Sequence, residues 1–297
     1  MRPLRTIAVF PTMFTLGNLA CGFFAIVVAA RVIAPTTLAE ITPQTEPILT
    51  WPISSVPGQL DRNDPTQNIM LSSWLIFLAM VFDALDGRVA RMANQTSKFG
   101  AELDSLCDLV TFGVAPAFLM VKMCPGFALD HRNIVWIIAA TFAMCAALRL
   151  ARFNVETSDD EDDHQWFNGL PAPAAAAAIA GFALVFYSLR SAPEHRIAID
   201  EWFQWVLPAF ALVLSLLMVS RIPYPHAINQ FVRGQRSFAH VVAIIFALIP
   251  VVVAPGFSIP GLVALYVLTP PIIYLSQLVL AEISRRTGGL KRNTGEH

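Results

Sequence analysis

Long apolar runs separated by short polar links set the pattern of this chain. Crossing the ~30 Å hydrocarbon core of a bilayer takes about 20 apolar residues in a helix. Runs of that kind fall near 13–33, 70–92, 100–123, 134–152, 172–190, 201–220, 239–255 and 259–282. The pattern predicts eight transmembrane helices and an all-α polytopic membrane protein, because a lipid-exposed backbone must satisfy its own hydrogen bonds. The seventh run is the shortest case and ends at Pro255. The opening run, FTLGNLACGFFAIVVAA, belongs to an apolar stretch longer than the region of about 7–15 residues found in secretory leaders. It reads as a first membrane helix.

Composition agrees with the pattern. Apolar residues make up 56% of the 297 and charged residues 14%, against about 25% charged in soluble domains. The formal net charge of −1 supplies no global basic field, which argues against a nucleic-acid partner. Cys21, Cys107, Cys124 and Cys145 show no CxxC spacing and read as reduced, mostly buried thiols.

Lys and Arg in the links fix an expected orientation. With the N-terminus inside, 14 of the 20 fall on the inner side and 6 on the outer, so both termini are expected in the cytoplasm. The segment 34–69, rich in Pro, Thr, Gln and acid with one Arg, then reads as an outer loop. The segment 156–163 (ETSDDEDD) has two readings, a solvated inner loop or a regulatory cation site. The tail RRTGGLKRNTGEH is basic and suits anionic headgroups.

Candidate chemistry lies in Asp83–Asp108, at the expected cytoplasmic ends of the second and third spans. The stretch DALDGRVARMANQTSKFGAELDSLCD has the pattern D-x2-D-G-x2-A-R-x8-G-x3-D-x3-D. Asp83 and Asp86 share one helix face, Asp104 and Asp108 another, and Gly100 lies one turn before Asp104. The short link MANQTSK predicts antiparallel neighbours, with small residues at Gly87, Ala90 and Gly100 admitting a backbone or a ligand. One aspartate at the centre of a membrane costs roughly 2.5–3.5 kcal/mol on insertion scales, and four together add repulsion. Arg88 and Arg91 are too few to neutralise them, whereas divalent cations with all-oxygen ligands would. A two-metal phosphoryl-transfer site is one reading, with Arg91 as phosphate donor. A cation- or proton-coupled transporter is the rival from another class.

At these eight positions the sequence resembles the CDP-alcohol phosphatidyltransferase family. The segments FPTMFTLGNLACGFFAI, LRLARFNV (148–155), GLPAPAAAA (169–177) and LMVSRIPYP (217–225) are similar to its phosphatidylserine synthase branch. The resemblance implies a six-helix catalytic core plus about two extra C-terminal transmembrane helices. Its division is a catalytic domain at 1–226, with the loop 34–69 inserted, and a C-terminal hairpin with basic tail at 227–297. It implies that Asp83, Asp86, Asp104 and Asp108 hold two divalent cations, Mg²⁺ or Mn²⁺, with Asp108 also the general base. Gly87, Ala90, Arg91 and Gly100 would shape the CDP site. The implied donor is CDP-diacylglycerol, drawn from the membrane lipids. L-Serine is the implied acceptor, with glycerol 3-phosphate as alternative, and a homodimer is the implied assembly. The site would face the cytoplasm, at the inner membrane if the protein is bacterial.

An acceptor carboxylate calls for a guanidinium. Arg149 and Arg152, with Asn154, end the fourth span on that side and are the acceptor candidates, positive-inside anchoring being their other reading. Thr15 and Asn18 also have two readings, helix packing or contact with the cytidine.

Overall fold

A computed structural model of the chain describes residues 9–32, 65–92, 98–124, 132–159, 166–190, 196–225, 250–251 and 253–293. Its helices are α1 (Val9–Ala30), α2 (Pro65–Met92), α3 (Lys98–Asp108), α4 (Ala115–Met123), α5 (Arg132–Asp159), α6 (Ala172–Arg190), α7 (Arg196–Val219) and α8 (Pro255–Asn293). A π-helical segment, Leu109–Val114, joins α3 to α4. Two three-residue strands, β1 (Trp166–Asn168) and β2 (Pro223–Pro225), complete the described elements.

Five helical stretches are long and apolar enough to cross a membrane: Thr12–Ala30, Gln67–Val89, Phe99–Met123, Asn133–Val155 and Pro255–Gln277. Ala172–Phe186 and Trp205–Val219 are shorter apolar helices. Large apolar side chains such as Ile137, Leu148, Leu216 and Leu265 point outward, each about 60% exposed or more. Outward apolar groups are at no disadvantage where the solvent is acyl chain rather than water. The chain is an all-α polytopic integral membrane protein. Seven of the eight apolar runs correspond to described helices; most of the seventh, and all of 34–64, lie outside the described residues.

Small residues decide which helices meet at the centre. In α6 the run Ala175–Ala180 is buried almost completely, and Gly181 stands close to Pro260 of α8. A helix whose buried face is mostly alanine lets its neighbours approach, and α2, α7 and α8 all pack on it.

The strand pair was not expected from an all-helical pattern. β1 and β2 run antiparallel with Phe167 opposite Tyr224, flanked by the Trp166–Pro225 and Asn168–Pro223 pairs. Prolines fit because a two-stranded ribbon is all edge and can spare their missing N–H groups. Gly169, at φ +88°, turns the chain from β1 toward α6. Its N–H donates to the Ile222 carbonyl at 2.9 Å, and a Cβ there would lie 2.9 Å from the Ser220 carbonyl oxygen. Glycine meets both demands. The acidic segment 156–163 was expected as a loop; helix α5 instead continues through Asp159, and 160–163 lie outside the described residues.

Candidate active site

Three helices build the aspartate site, and the sequence pattern pointed to two of them. The short link led to the expectation that α2 and α3 are neighbours, and Asp83 of α2 does meet Asp104 and Asp108 of α3. The third helix is α1, which lies against both. Thr15 of α1 donates its hydroxyl to Asp86 of α2. Asn18, three residues on and on the same face, donates its amide to Asp108 Oδ1 at 2.8 Å. Thr15 and Asn18 therefore hold carboxylates. No spacing rule could link them to partners 71 and 90 residues away.

Across this framework the carboxylates of Asp83, Asp104 and Asp108 converge, each with an oxygen within 4.8 Å of the other two. Asp108 and Asp86 are buried, at 8% and 7% exposure, and Asp83 and Asp104 are half-buried. The fourth aspartate, Asp86, adjoins this trio but is engaged by Thr15. Arg149 of α5 lies within electrostatic reach of Asp83 and Asp108, and its guanidinium also stands 5.6 Å from the Phe153 ring centre.

The positions flanking the acids divide differently. Gly87 is half-buried on α2, and Gly100 is half-buried in the first turn of α3. Ala90 and Arg91 belong to the last turn of α2, and their side chains lie outside the described residues. Asn154 donates its amide to Ser105 at 2.9 Å, tying α5 to the residue beside Asp104. Arg152 is half-buried one turn beyond Arg149.

The π-helical segment controls where Asp108 stands. The N–H of Ala115 bonds to the Val110 carbonyl, five residues back, which widens the turn directly after Asp108. Thr111 in that segment donates its hydroxyl to the Asn18 carbonyl at 3.2 Å. Gly22 of α1 faces it so closely that a Cβ would lie 2.8 Å from the Thr111 Cα. Asn18 is thus held at its backbone by the segment that follows Asp108, and holds Asp108 with its side chain.

The donor set fits a hard divalent cation. Asp104 Oδ1 and Asn18 Oδ1 are buried with no hydrogen-bond partner among the described residues. Buried acceptors without donors are costly unless something positive meets them. Three carboxylates, with no sulfur or imidazole joined to them among the described residues, are the ligand chemistry of Mg²⁺, Mn²⁺ or Ca²⁺.

Comparison with known proteins adds a second line. Residues 8–217 match the family model described as CDP-alcohol phosphatidyltransferase. A Helicobacter pylori protein named CDP-diacylglycerol–serine O-phosphatidyltransferase is 37% identical over 160 residues, 53% of this chain and 61% of that protein. The protein of the same name from Mycobacterium bovis is 34% identical over 215 residues, 70% of either chain. An archaetidylserine synthase from Methanothermobacter thermautotrophicus is 40% identical over 154 residues, 51% of this chain and 56% of that one. The chain thus spans about three fifths of the length of the Helicobacter relative. The match over 8–217 takes in every aspartate of the site and the α1 residues that hold them, and the chain belongs to the CDP-alcohol phosphatidyltransferase family.

Proposed function

We propose that the protein transfers the phosphatidyl group of CDP-diacylglycerol to L-serine, giving phosphatidylserine and CMP. One observation carries the reaction class: three carboxylates meeting within 4.8 Å at the end of membrane helices, with Arg149 within electrostatic reach. The names of the relatives support serine as the acceptor.

In this reading Asp83, Asp104 and Asp108, with Asp86 at the margin, hold two divalent cations, Mg²⁺ or Mn²⁺. Bound there, the cations would neutralise the donor's diphosphate and the charge that develops on departing CMP. Asn18 fixes one oxygen of Asp108, and the other accepts the proton of the serine hydroxyl. The serine oxygen bonds to the lipid-side phosphorus as the bond from that phosphorus to the CMP oxygen breaks. Gly87, Ala90, Arg91 and Gly100 shape the CDP site, with Arg91 toward the diphosphate. Arg149 receives the serine carboxylate; Arg152 lies one turn away, and Asn154 supports α5 through Ser105.

In this reading the site faces the cytoplasm, with both termini there, which the excess of Lys and Arg on one side supports. CDP then stays in water while the acyl chains stay in lipid. In the same reading residues 1–226 form the catalytic unit, 227–297 a C-terminal addition, and two copies a homodimer.

An acceptor panel with labelled CDP-diacylglycerol and lipid product analysis tests the proposal. Serine with Mg²⁺ or Mn²⁺ should release CMP and yield phosphatidylserine, and a chelator should stop release. Absence of CMP with every alcohol would end the transferase reading. Product from glycerol 3-phosphate but not serine would move the acceptor. A variant carrying Arg149→Ala should show a serine KM raised about tenfold or more, as expected for a lost charge-assisted bond. An unchanged serine KM in steady-state assays would clear Arg149 of that role.

A further inference from the structure

Two contacts hold α5 against α3 and the π-helical segment that follows it. At the first, Gly113 of the π-helical segment lies so near α5 that a Cβ on it would stand 3.3 Å from the Ala146 Cβ and 3.8 Å from the Ala143 Cα. Small residues on both sides let the backbones close in. The second contact is polar. Asn154 donates its amide to Ser105 Oγ at 2.9 Å. The Ser105 hydroxyl has two acceptors in reach, Asn154 Oδ1 at 3.2 Å and the Ala101 carbonyl at 3.1 Å. Ser105 precedes Gly113 by eight residues, and Asn154 follows Ala146 by eight, so both contacts fit one antiparallel register. α5 packs closely on the π-helical segment and on α4, and hardly on α3. The two elements are therefore joined at the small residues and bridged by hydrogen bonds where they part.

Both residues that the proposed reaction uses on its acceptor lie between these contacts. Asp108 comes three residues after Ser105 on α3, and Arg149 three residues after Ala146 on α5. Continuous helix fixes each of them relative to its contact, so the gap between α3 and α5 sets the distance from carboxylate to guanidinium. We infer that the Ser105–Asn154 bridge is a positioning device that sets the length of acceptor the site admits, from its anionic end to its reacting hydroxyl. This rests on the reading of Asp108 and Arg149 given above. In serine two carbons separate the carboxylate from the hydroxyl. With the bridge cut, the C-terminal end of α5 can swing from α3 about the Gly113–Ala146 contact, and a longer acceptor gains while serine loses.

The test uses the full chain in detergent micelles, with serine and its one-carbon-longer homologue homoserine as competing acceptors. The native chain should prefer serine in kcat/KM by about 10- to 200-fold, the range for one methylene. Ser105→Ala and Asn154→Ala should each narrow that preference about 3- to 10-fold, the range for losing one hydrogen bond. The KM for CDP-diacylglycerol should not move. A ratio measured in one preparation is blind to any inactive fraction, so partial misfolding cannot imitate the result. The double variant should narrow the preference less than about twofold beyond either single one, because the two side chains act as a pair. Ser105→Thr keeps the hydroxyl and should keep the native preference. Thr141→Val is the control on α5: its hydroxyl bonds back to the Ile137 carbonyl at 2.8 Å, and its loss should change nothing. Full additivity of the two alanine changes would overturn the inference, as would a native chain that uses homoserine as readily as serine. A raised serine KM in Asn154→Ala with Ser105→Ala silent would also overturn it, by making Asn154 a direct acceptor contact. The two readings fail separately. If serine yields product and neither alanine variant shifts the preference, this inference alone falls. If no alcohol yields product, the transferase reading falls and takes the inference with it. If glycerol 3-phosphate replaces serine, the preference is measured against its one-carbon-longer homologue and the same shift decides.

Discussion

Replacing Asp108 by asparagine should lower turnover by about 10³-fold or more while the helices stay in place. General-base assistance alone is worth roughly 10²–10⁴-fold, and Asp108 also belongs to the converging trio of carboxylates. Loss of three decades corresponds to about 4 kcal/mol of transition-state stabilisation. Asparagine keeps the shape of the side chain, and its carbonyl oxygen can still accept the Asn18 amide that Asp108 Oδ1 accepts now. Removing one negative charge from a crowded set relieves repulsion. Without added cation, the melting temperature in detergent should therefore hold or rise. Added Mg²⁺ or Mn²⁺ should stabilise the native chain more than the variant, since a ligand raises stability only as far as it binds. The measurements are CMP release and thermal unfolding with and without the cation. Near-normal turnover in a folded variant would remove both roles of Asp108.

How far the sequence led can be judged residue by residue. The aspartates were legible because four carboxylates at helical spacing in apolar surroundings demand an explanation that local sequence already contains. The helices were legible because apolar runs of membrane length have few alternatives. What stayed hidden depends on contacts between distant segments. Thr15 and Asn18 look like ordinary small polar residues until α1 is placed against both aspartate helices. The widened turn after Asp108 has no signature in LVTFGV, since it comes from the fit of that segment against Gly22. PYP reads as a helix break, which is correct, but its pairing with residues 166–168 is a tertiary event. Tyr266 sits in an apolar run that sequence reasoning assigned to an accessory helix, and only the packing of α8 on α6 sets its ring against that of Tyr224.

Gly22→Ala should be among the most damaging single-methyl changes in the membrane region. The added Cβ would lie 2.8 Å from the Cα of Thr111, and a Cα cannot swing aside as a flexible side chain can. α1 and the π-helical segment must separate, and overpacking of this kind costs about 1–3 kcal/mol. The functional cost should exceed the structural one. Asn18 lies one turn before Gly22 and Asp108 three residues before Thr111, so separation acts directly on the 2.8 Å Asn18–Asp108 bond and the Thr111–Asn18 bond behind it. A displacement of ~1 Å in a positioned catalytic group can cost about 10²-fold, and CMP release should fall by about that much in protein that still folds. Gly261→Ala is the matched control: its Cβ meets nothing within 4 Å, so it should leave turnover unchanged and stabilise α8 slightly by favouring helix. Pairing Gly22→Ala with Thr111→Ala separates the possible causes. If the approach to the Thr111 backbone causes the loss, trimming Thr111 cannot restore turnover; recovery in the double variant would show that the added methyl clashes with the Thr111 side chain and not with its backbone.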